Sequence, residues 1–167
     1  MWSYSQQCRL AFDKKCMERH FPQFHFYNPT GDTYILGCYM TTCGNNSYDL
    51  KITIPPCFPD EAPELFVSRP LILPKRGFSA GSVNDGGTSH EFHTKSNGPG
   101  GCVQICYSRW DPSMTCAGVA LQGMLWTEFY CIYMATGISI AELADRWREQ
   151  QQREGNADLA RFIASFV

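Results

Sequence analysis

Residues 34–63, YILGCYMTTCGNNSYDLKITIPPCFPDEAP, carry the clearest structural pattern in the chain. Residues 34–42 are rich in β-forming side chains, and the turn-forming GNN follows at 44–46. Residues 48–54 then alternate apolar and polar side chains, as a strand does when one of its faces is buried. Four prolines fall within residues 55–63, and because proline lacks an amide donor, the chain must leave the sheet there. The pattern predicts two antiparallel strands and an abrupt turn.

Shorter stretches on either side extend this pair to a four-stranded meander. Residues 24–27 are aromatic and favour a short strand, and residues 65–67 favour one more strand after the proline turn. Residues 74–101 hold many glycine, serine and asparagine residues and have little periodicity. They predict a long loop, and loops of that length in a compact chain are usually functional or mobile.

Helical periodicity appears before and after the strands. Residues 5–20 predict a helix on which the less polar Cys8, Ala11, Phe12 and Cys16 share one face. Residues 116–134 are apolar nearly all round, which is typical of a buried central helix. Ser139 opens a capping-box pattern for a further helix that Gly155 ends, and a last helix carries Leu159, Phe162, Ile163 and Phe166.

This order of elements predicts an α+β fold in which an antiparallel four-stranded meander packs on helices. The length of 167 residues favours one domain over 1–167, with a helical C-terminal extension at about 139–167. The formal charge of −2 gives no general attraction to nucleic acid or to an anionic membrane. No apolar run approaches the roughly 20 residues that span a bilayer, and the first residues lack the order of a signal peptide.

The nine cysteines bear on the compartment. An odd number cannot pair completely within the chain, and a chain of this length does not need disulfides for stability. We therefore expect reduced cysteines in a cytoplasmic setting, most of them acting as small core residues and one or two with special chemistry.

The densest group of polar residues lies between His90 and Cys106. Its two histidines and two cysteines invite a zinc interpretation, but the spacings are H-x-x-H and C-x-x-x-C. Structural zinc sites usually show C-x-x-C, and a zinc deaminase needs H-x-E followed by P-C-x-x-C. Zinc-dependent hydrolysis or deamination is therefore a distant alternative, and no metal or other cofactor is predicted.

A cysteine nucleophile fits this segment better. Cys102 follows Gly98, Gly100 and Gly101, so the backbone around its sulfur is open to an incoming thioester or amine. His93 and Lys95 nearby would favour the thiolate, which is the attacking form. Cys106 fits a packing role instead.

Four features in order resemble the ubiquitin-conjugating enzymes. They are the strand and proline turn at 48–63, the aromatic-His pair Phe92-His93, the segment from Asn97 to Ile105 around Cys102, and the W-x-P pattern at 110–112. Trp110 follows Cys102 by eight residues, as in that family. The resemblance covers about residues 5–150 and implies the family's fold, with Trp110 packed beneath the loop that presents the cysteine.

The resemblance also implies an activity and a set of partners. Such an enzyme accepts a ubiquitin-like protein from an adenylating, activating enzyme as a thioester, here on Cys102. It then passes that protein to an amine of a protein substrate, alone or with a ligase. The basic first helix matches the surface that the family presents to the activating enzyme, which makes Arg9, Lys14 and Lys15 candidate partner contacts.

The segment after His93 departs from the family pattern. The family has Pro and Asn there, whereas this chain has Thr94 and Lys95. Asn97, His93 or Lys95 could replace the lost asparagine, which supports the loop or the oxyanion, and Asn97 and His93 are the candidate catalytic residues beside Cys102. The altered segment resembles bacterial relatives encoded beside their own activating enzymes, some of which act in antiviral defence against phage. A catalytically inactive module that binds ubiquitin-like proteins is the alternative.

Overall fold

The computed structural model describes residues 1–77, 81–107, 109–155 and 157–166. The described residues form four helices: α1 (Tyr4–His20), α2 (Cys116–Thr136), α3 (Ile140–Glu154) and α4 (Leu159–Ala164). In the same part of the chain there are five strands: β1 (Phe24–Tyr27), β2 (Tyr34–Met40), β3 (Ser47–Thr53), β4 (Glu64–Arg69) and β5 (Val103–Ile105). Two short 3-10 turns, Val83–Gly86 and Pro99–Gly101, lie in the long connection between β4 and β5.

The strands form one antiparallel sheet in the order β1-β2-β3-β4-β5. The predicted α+β class and antiparallel meander are confirmed, but the sheet has five strands rather than four. The added strand, β5, places Val103 opposite Val67 and Ile105 opposite Leu65. Its three residues are all buried, so it shows none of the alternation by which a half-buried strand is recognised.

Helix α2 is the centre of the core, as its apolar sequence predicts. Val119, Ala120 and Ile132 have no exposed surface. At Gly123 a Cβ atom would lie 3.0 Å from a methyl carbon of Leu50, so this glycine lets the helix approach the sheet closely. The large buried surface of α2 therefore joins the sheet to the helices that follow.

Helix α1 buries a different face from the one its less polar residues predict. Cys8, Ala11 and Phe12 are exposed, and the buried residues are Leu10, Asp13 and Met17. This face is buried because of polar contacts made by Asp13. Its carboxylate accepts hydrogen bonds from Arg9 Nε at 2.6 Å and from the backbone amide of Cys116 at 2.7 Å. A buried carboxylate needs such partners, and their positions fix the rotation of the helix.

Helix α3 begins and ends where the sequence predicts, whereas α4 ends at Ala164 and does not reach the predicted Phe166. The Ser139 hydroxyl accepts a hydrogen bond from the Glu142 amide at 3.2 Å, and Gly155 ends α3 with a φ of 73°. Phe162 of α4 packs edge-on against Phe129 and Trp147. Among the described helices, none has both the length and the apolar character needed to cross a bilayer.

Candidate active site

Cys102 lies between the short turn Pro99–Gly101 and strand β5. Gly100 and Gly101 have φ angles of 73° and 83°, a left-handed conformation that residues with a Cβ rarely adopt. The Cys102 side chain is partly exposed, neither enclosed in the core nor fully open to solvent. The glycines that the sequence places before the cysteine are thus required for the turn that brings the thiol to the surface.

A hydrogen-bonded hairpin carries this turn. The Gly98 amide donates to the Cys102 carbonyl at 2.8 Å, the Lys95 amide to the Gln104 carbonyl at 2.8 Å, and the Cys106 amide to the His93 carbonyl at 2.7 Å. Because β5 is itself paired with β4, the hairpin is anchored to the sheet. The cysteine therefore lies at the end of an ordered hairpin, which limits the positions that its sulfur can take.

The close approach of Gly98 to the sheet strengthens this anchoring. A Cβ atom on Gly98 would lie 2.2 Å from a ring carbon of Phe66, far inside van der Waals contact. The backbone of the hairpin therefore lies directly against an aromatic ring of β4. No larger residue fits at this position without moving the hairpin.

Asn84 is the residue that sequence reasoning missed. Its side-chain amide donates to the Gly101 carbonyl at 2.7 Å and to the Leu71 carbonyl at 2.9 Å. Its side-chain oxygen accepts from the Leu73 amide at 3.0 Å, so one side chain ties the turn before Cys102 to the chain that leaves β4. The available signal was the capping box formed by Ser82 and Asp85 around it, which marks an ordered turn inside the long loop.

Asn97 lies near Cys102 but is engaged elsewhere. Its side chain is exposed, and its amide donates to the backbone carbonyl of Asn84 at 2.6 Å. Asn97 and Asn84 together brace the two ends of the turn that precedes the cysteine. In this arrangement Asn97 supports the loop, which is one of the two roles predicted for it.

The structure does not bring His93 to Cys102. In the hairpin the His93 carbonyl accepts a hydrogen bond from the Cys106 amide. Cys106 is four residues beyond Cys102, a separation of roughly 13 Å along an extended chain. The His93 ring lies 5.5 Å from that of His90, between centroids. Burial lowers the pKa of His93 below its usual value, and the nearby His90 and Arg148 lower it further. His93 is therefore a mainly neutral imidazole at pH 7.

Cys102 is not the most exposed of the nine cysteines. Only Cys43, Cys116 and Cys131 are buried, so the prediction that most cysteines are core residues is wrong. The exposed ones project outward from α1, from β2 and from the proline turn; they are Cys8, Cys38 and Cys57. Exposure alone does not single out Cys102, and its distinction is the hydrogen-bonded glycine turn. All nine thiols are free.

Trp110 contacts the proline turn. Its indole nitrogen donates to the Pro59 carbonyl at 2.7 Å, and its ring lies 5.9 Å from that of Phe58. The Tyr107 hydroxyl donates to the Pro63 carbonyl close by. The tryptophan therefore joins the segment after β5 to the turn after β3.

The three basic residues predicted to meet a partner differ in their freedom. Arg9 is largely buried, because its guanidinium donates to Asp13 and to the carbonyls of Pro112 and Met114. Lys14 and Lys15 are exposed, and Lys14 lies 3.8 Å from Glu18. The candidate contact surface on α1 therefore rests on the two lysines, while Arg9 joins α1 to the start of α2.

Within residues 1–77, 81–107, 109–155 and 157–166, no three His, Cys, Asp or Glu side chains converge as a metal site would require. Comparisons of the chain with models of protein families, with curated proteins and with solved structures found no match.

Proposed function

We propose that this chain is a cysteine-dependent transferase that carries a ubiquitin-like protein as a thioester on Cys102 and passes it to an amine. The observation that carries the proposal is the partly exposed thiol at the end of a hydrogen-bonded, glycine-lined hairpin. A large acyl group needs an open backbone around the sulfur, and two successive glycines in left-handed conformation provide it. The order of motifs along the chain points to the same chemistry.

The reaction proceeds in two displacements. The Cys102 thiolate attacks the carbonyl carbon of the thioester on the activating enzyme, and the thiolate of that enzyme leaves. An amine of the protein substrate then attacks the new thioester, loses a proton to solvent or to a base, and expels the Cys102 thiolate. Each step exchanges one acyl bond for another, so the ATP spent by the activating enzyme is the only energy source needed.

The backbone of the hairpin is the main contribution of the protein to this chemistry. Asn84 and Asn97 fix the turn before Cys102, so the thiol is positioned before the partner arrives. Fixed geometry of this kind lowers the entropic cost of bringing two reacting groups together. Lys14 and Lys15 are the proposed contacts to the activating enzyme.

The direct test is formation of a covalent adduct. The protein is incubated with the activating enzyme and the ubiquitin-like protein of its own source cell, with ATP, and run on a gel without and with reductant. We expect a reductant-sensitive band that Cys102→Ala abolishes and that the matched Cys57→Ala and Cys106→Ala variants retain. An adduct that persists in Cys102→Ala would refute the assignment of the nucleophile.

One observation favours the second candidate, an inactive module that binds a ubiquitin-like protein. Within the described ranges no side chain is hydrogen-bonded to the Cys102 sulfur, and His93 lies at the far end of the hairpin. In a module of this kind, the wild type and the Cys102→Ala variant would bind the ubiquitin-like protein equally well, and neither would form an adduct. The same gel, combined with a binding titration of both proteins, separates the two functions.

A further inference from the structure

A cavity of about 640 Å³ lies between α2, α3 and the His93–Cys106 end of the hairpin. Cys102 does not line it, so it is separate from the proposed active site. Its walls are mainly apolar and aromatic; they include Ile105, Leu125, Trp126, Phe129, Ile140 and Trp147. The cavity is half open to solvent, and sites for small ligands are clefts or cavities of roughly 300–1,000 Å³. The volume therefore lies within the range of small-ligand sites.

The walls of the cavity are fixed in place. The Trp126 indole donates to the Phe92 carbonyl at 2.8 Å, and its ring stacks on Tyr130 at 5.6 Å with the planes 3° apart. On the opposite wall Trp147 packs edge-on against Phe162 at 5.2 Å. Because both tryptophans are held by neighbours outside the cavity, they do not need to move to admit a ligand.

The charges around the cavity indicate the kind of ligand. Arg148 is the only residue with a formal charge at neutral pH among the described lining residues, and no carboxylate lines the wall. The Arg148 side chain is mostly exposed and is ion-paired with Asp145, but a guanidinium has five donors, so others remain for a second anion. An apolar body with a single anionic group is complementary to aromatic walls and one arginine at the rim.

We propose that this cavity binds an amphipathic monoanion, such as a fatty acid of medium length, with its chain between Trp126 and Trp147 and its carboxylate at Arg148. The Cys106 thiol also lines the cavity and is partly exposed, so a bound chain covers it. Nothing in this proposal depends on the chemistry proposed for Cys102. It assigns a second site to the same chain.

Calorimetric titration of the whole protein with decanoate, below its micellar concentration, tests the proposal. We expect saturable binding of one decanoate per chain. Ala144→Trp fills the cavity and should abolish binding, whereas Arg148→Met should weaken it by about tenfold because a charge-assisted hydrogen bond is lost. Arg153→Met removes an exposed arginine of the same helix outside the cavity and should have no effect.

Two further measurements keep the result decisive. Decanol, which has the same chain and no charge, should bind the wild type and Arg148→Met equally. In the wild type, decanoate should slow alkylation of Cys106 by iodoacetamide and leave the exposed Cys38 unaffected, which tests the site even if Ala144→Trp does not fold. Absence of saturable binding, or an unprotected Cys106, would overturn the site. Equal weakening of decanoate and decanol by Arg148→Met would overturn the role of the charge.

Discussion

Asp13 is a charged side chain with no exposed surface, and it has two strong partners. Arg9 neutralises its charge at 2.6 Å, and the Cys116 amide occupies a second lone pair at 2.7 Å. Removal of one member of a buried pair leaves the other charge without compensation, which typically costs more than the pair contributes when intact. Burial beside this carboxylate also raises the pKa of the Cys116 thiol well above its usual value, so that thiol remains protonated.

We therefore expect Asp13→Ala to lower the free energy of unfolding by about 3 kcal/mol, because it leaves Arg9 and the Cys116 amide without their acceptor. Urea denaturation followed by circular dichroism measures the change. Glu18→Ala is the matched control, since it removes an acid of the same helix whose partner Lys14 is exposed and 3.8 Å away, and it should cost less than about 0.5 kcal/mol. Equal midpoints for the two variants would contradict the structural role of Asp13.

Gly98 offers a second test at the scale of single residues. Its φ of −81° suits any residue, so the cost of Gly98→Ala comes only from contact with the Phe66 ring at 2.2 Å. We expect a loss of about 1–3 kcal/mol by overpacking, measured by thermal or urea denaturation. Gly86→Ala is the control, because nothing lies within 4 Å of its Cβ position, and a similar loss there would argue against the close contact.

At the scale of elements, sequence patterns predicted those units whose periodicity is set by burial. Strands β1 to β4 and helices α2 and α3 follow apolar patterns in the sequence. Strand β5 was missed because three buried residues carry no period. The buried face of α1 does not follow its less polar residues, because the partner of Asp13, the Cys116 amide, lies 103 residues further along the chain. Local patterns do not encode such a distant polar contact.

In the candidate site, too, sequence patterns predicted some features and missed others. The glycines around Cys102 predicted an open turn, since only glycine readily adopts the φ angles found there. His93 is close to Cys102 in sequence, which predicted that the two side chains would meet. A hairpin pairs residues by register, however, and His93 lies opposite Cys106. Asn84 was missed because a loop side chain that bonds to backbone groups of two distant segments has no sequence period.

The exposed lysines of α1 allow a test at the scale of elements. If the proposed function holds, the double variant Lys14→Glu/Lys15→Glu should load from the activating enzyme about tenfold more slowly at low salt, because charge attraction accelerates association. Its unfolding midpoint should stay close to that of the wild type. The double variant Arg153→Glu/Arg161→Glu carries the same charge change on α3 and α4 and should load normally. If Lys14→Glu/Lys15→Glu loads at the wild-type rate, the two lysines are part of an ordinary solvated surface.

At the scale of the whole molecule, His93 couples stability to pH. Its folded-state pKa is lowered, chiefly by burial, so below about pH 6.5 the unfolded chain binds a proton that the folded chain does not. Stability from this group is therefore complete above its unfolded pKa and falls as the pH drops toward the folded pKa.

We expect the wild type to lose more stability between about pH 7.5 and about pH 5.5 than His93→Gln does, as measured by urea midpoints at each pH. His20→Gln removes an exposed histidine on α1 and should follow the wild-type trend. If His93→Gln and the wild type show parallel pH profiles, the imidazole does not contribute through its protonation.

The bond between Asp13 and the Cys116 amide also has a consequence for synthesis on the ribosome. Translation produces α1 before this partner, which emerges only after a further 103 residues have been added. Until then the carboxylate and guanidinium of α1 remain hydrated, and the nascent helix has no fixed orientation. Helix α1 is therefore made long before the chain can supply its native environment.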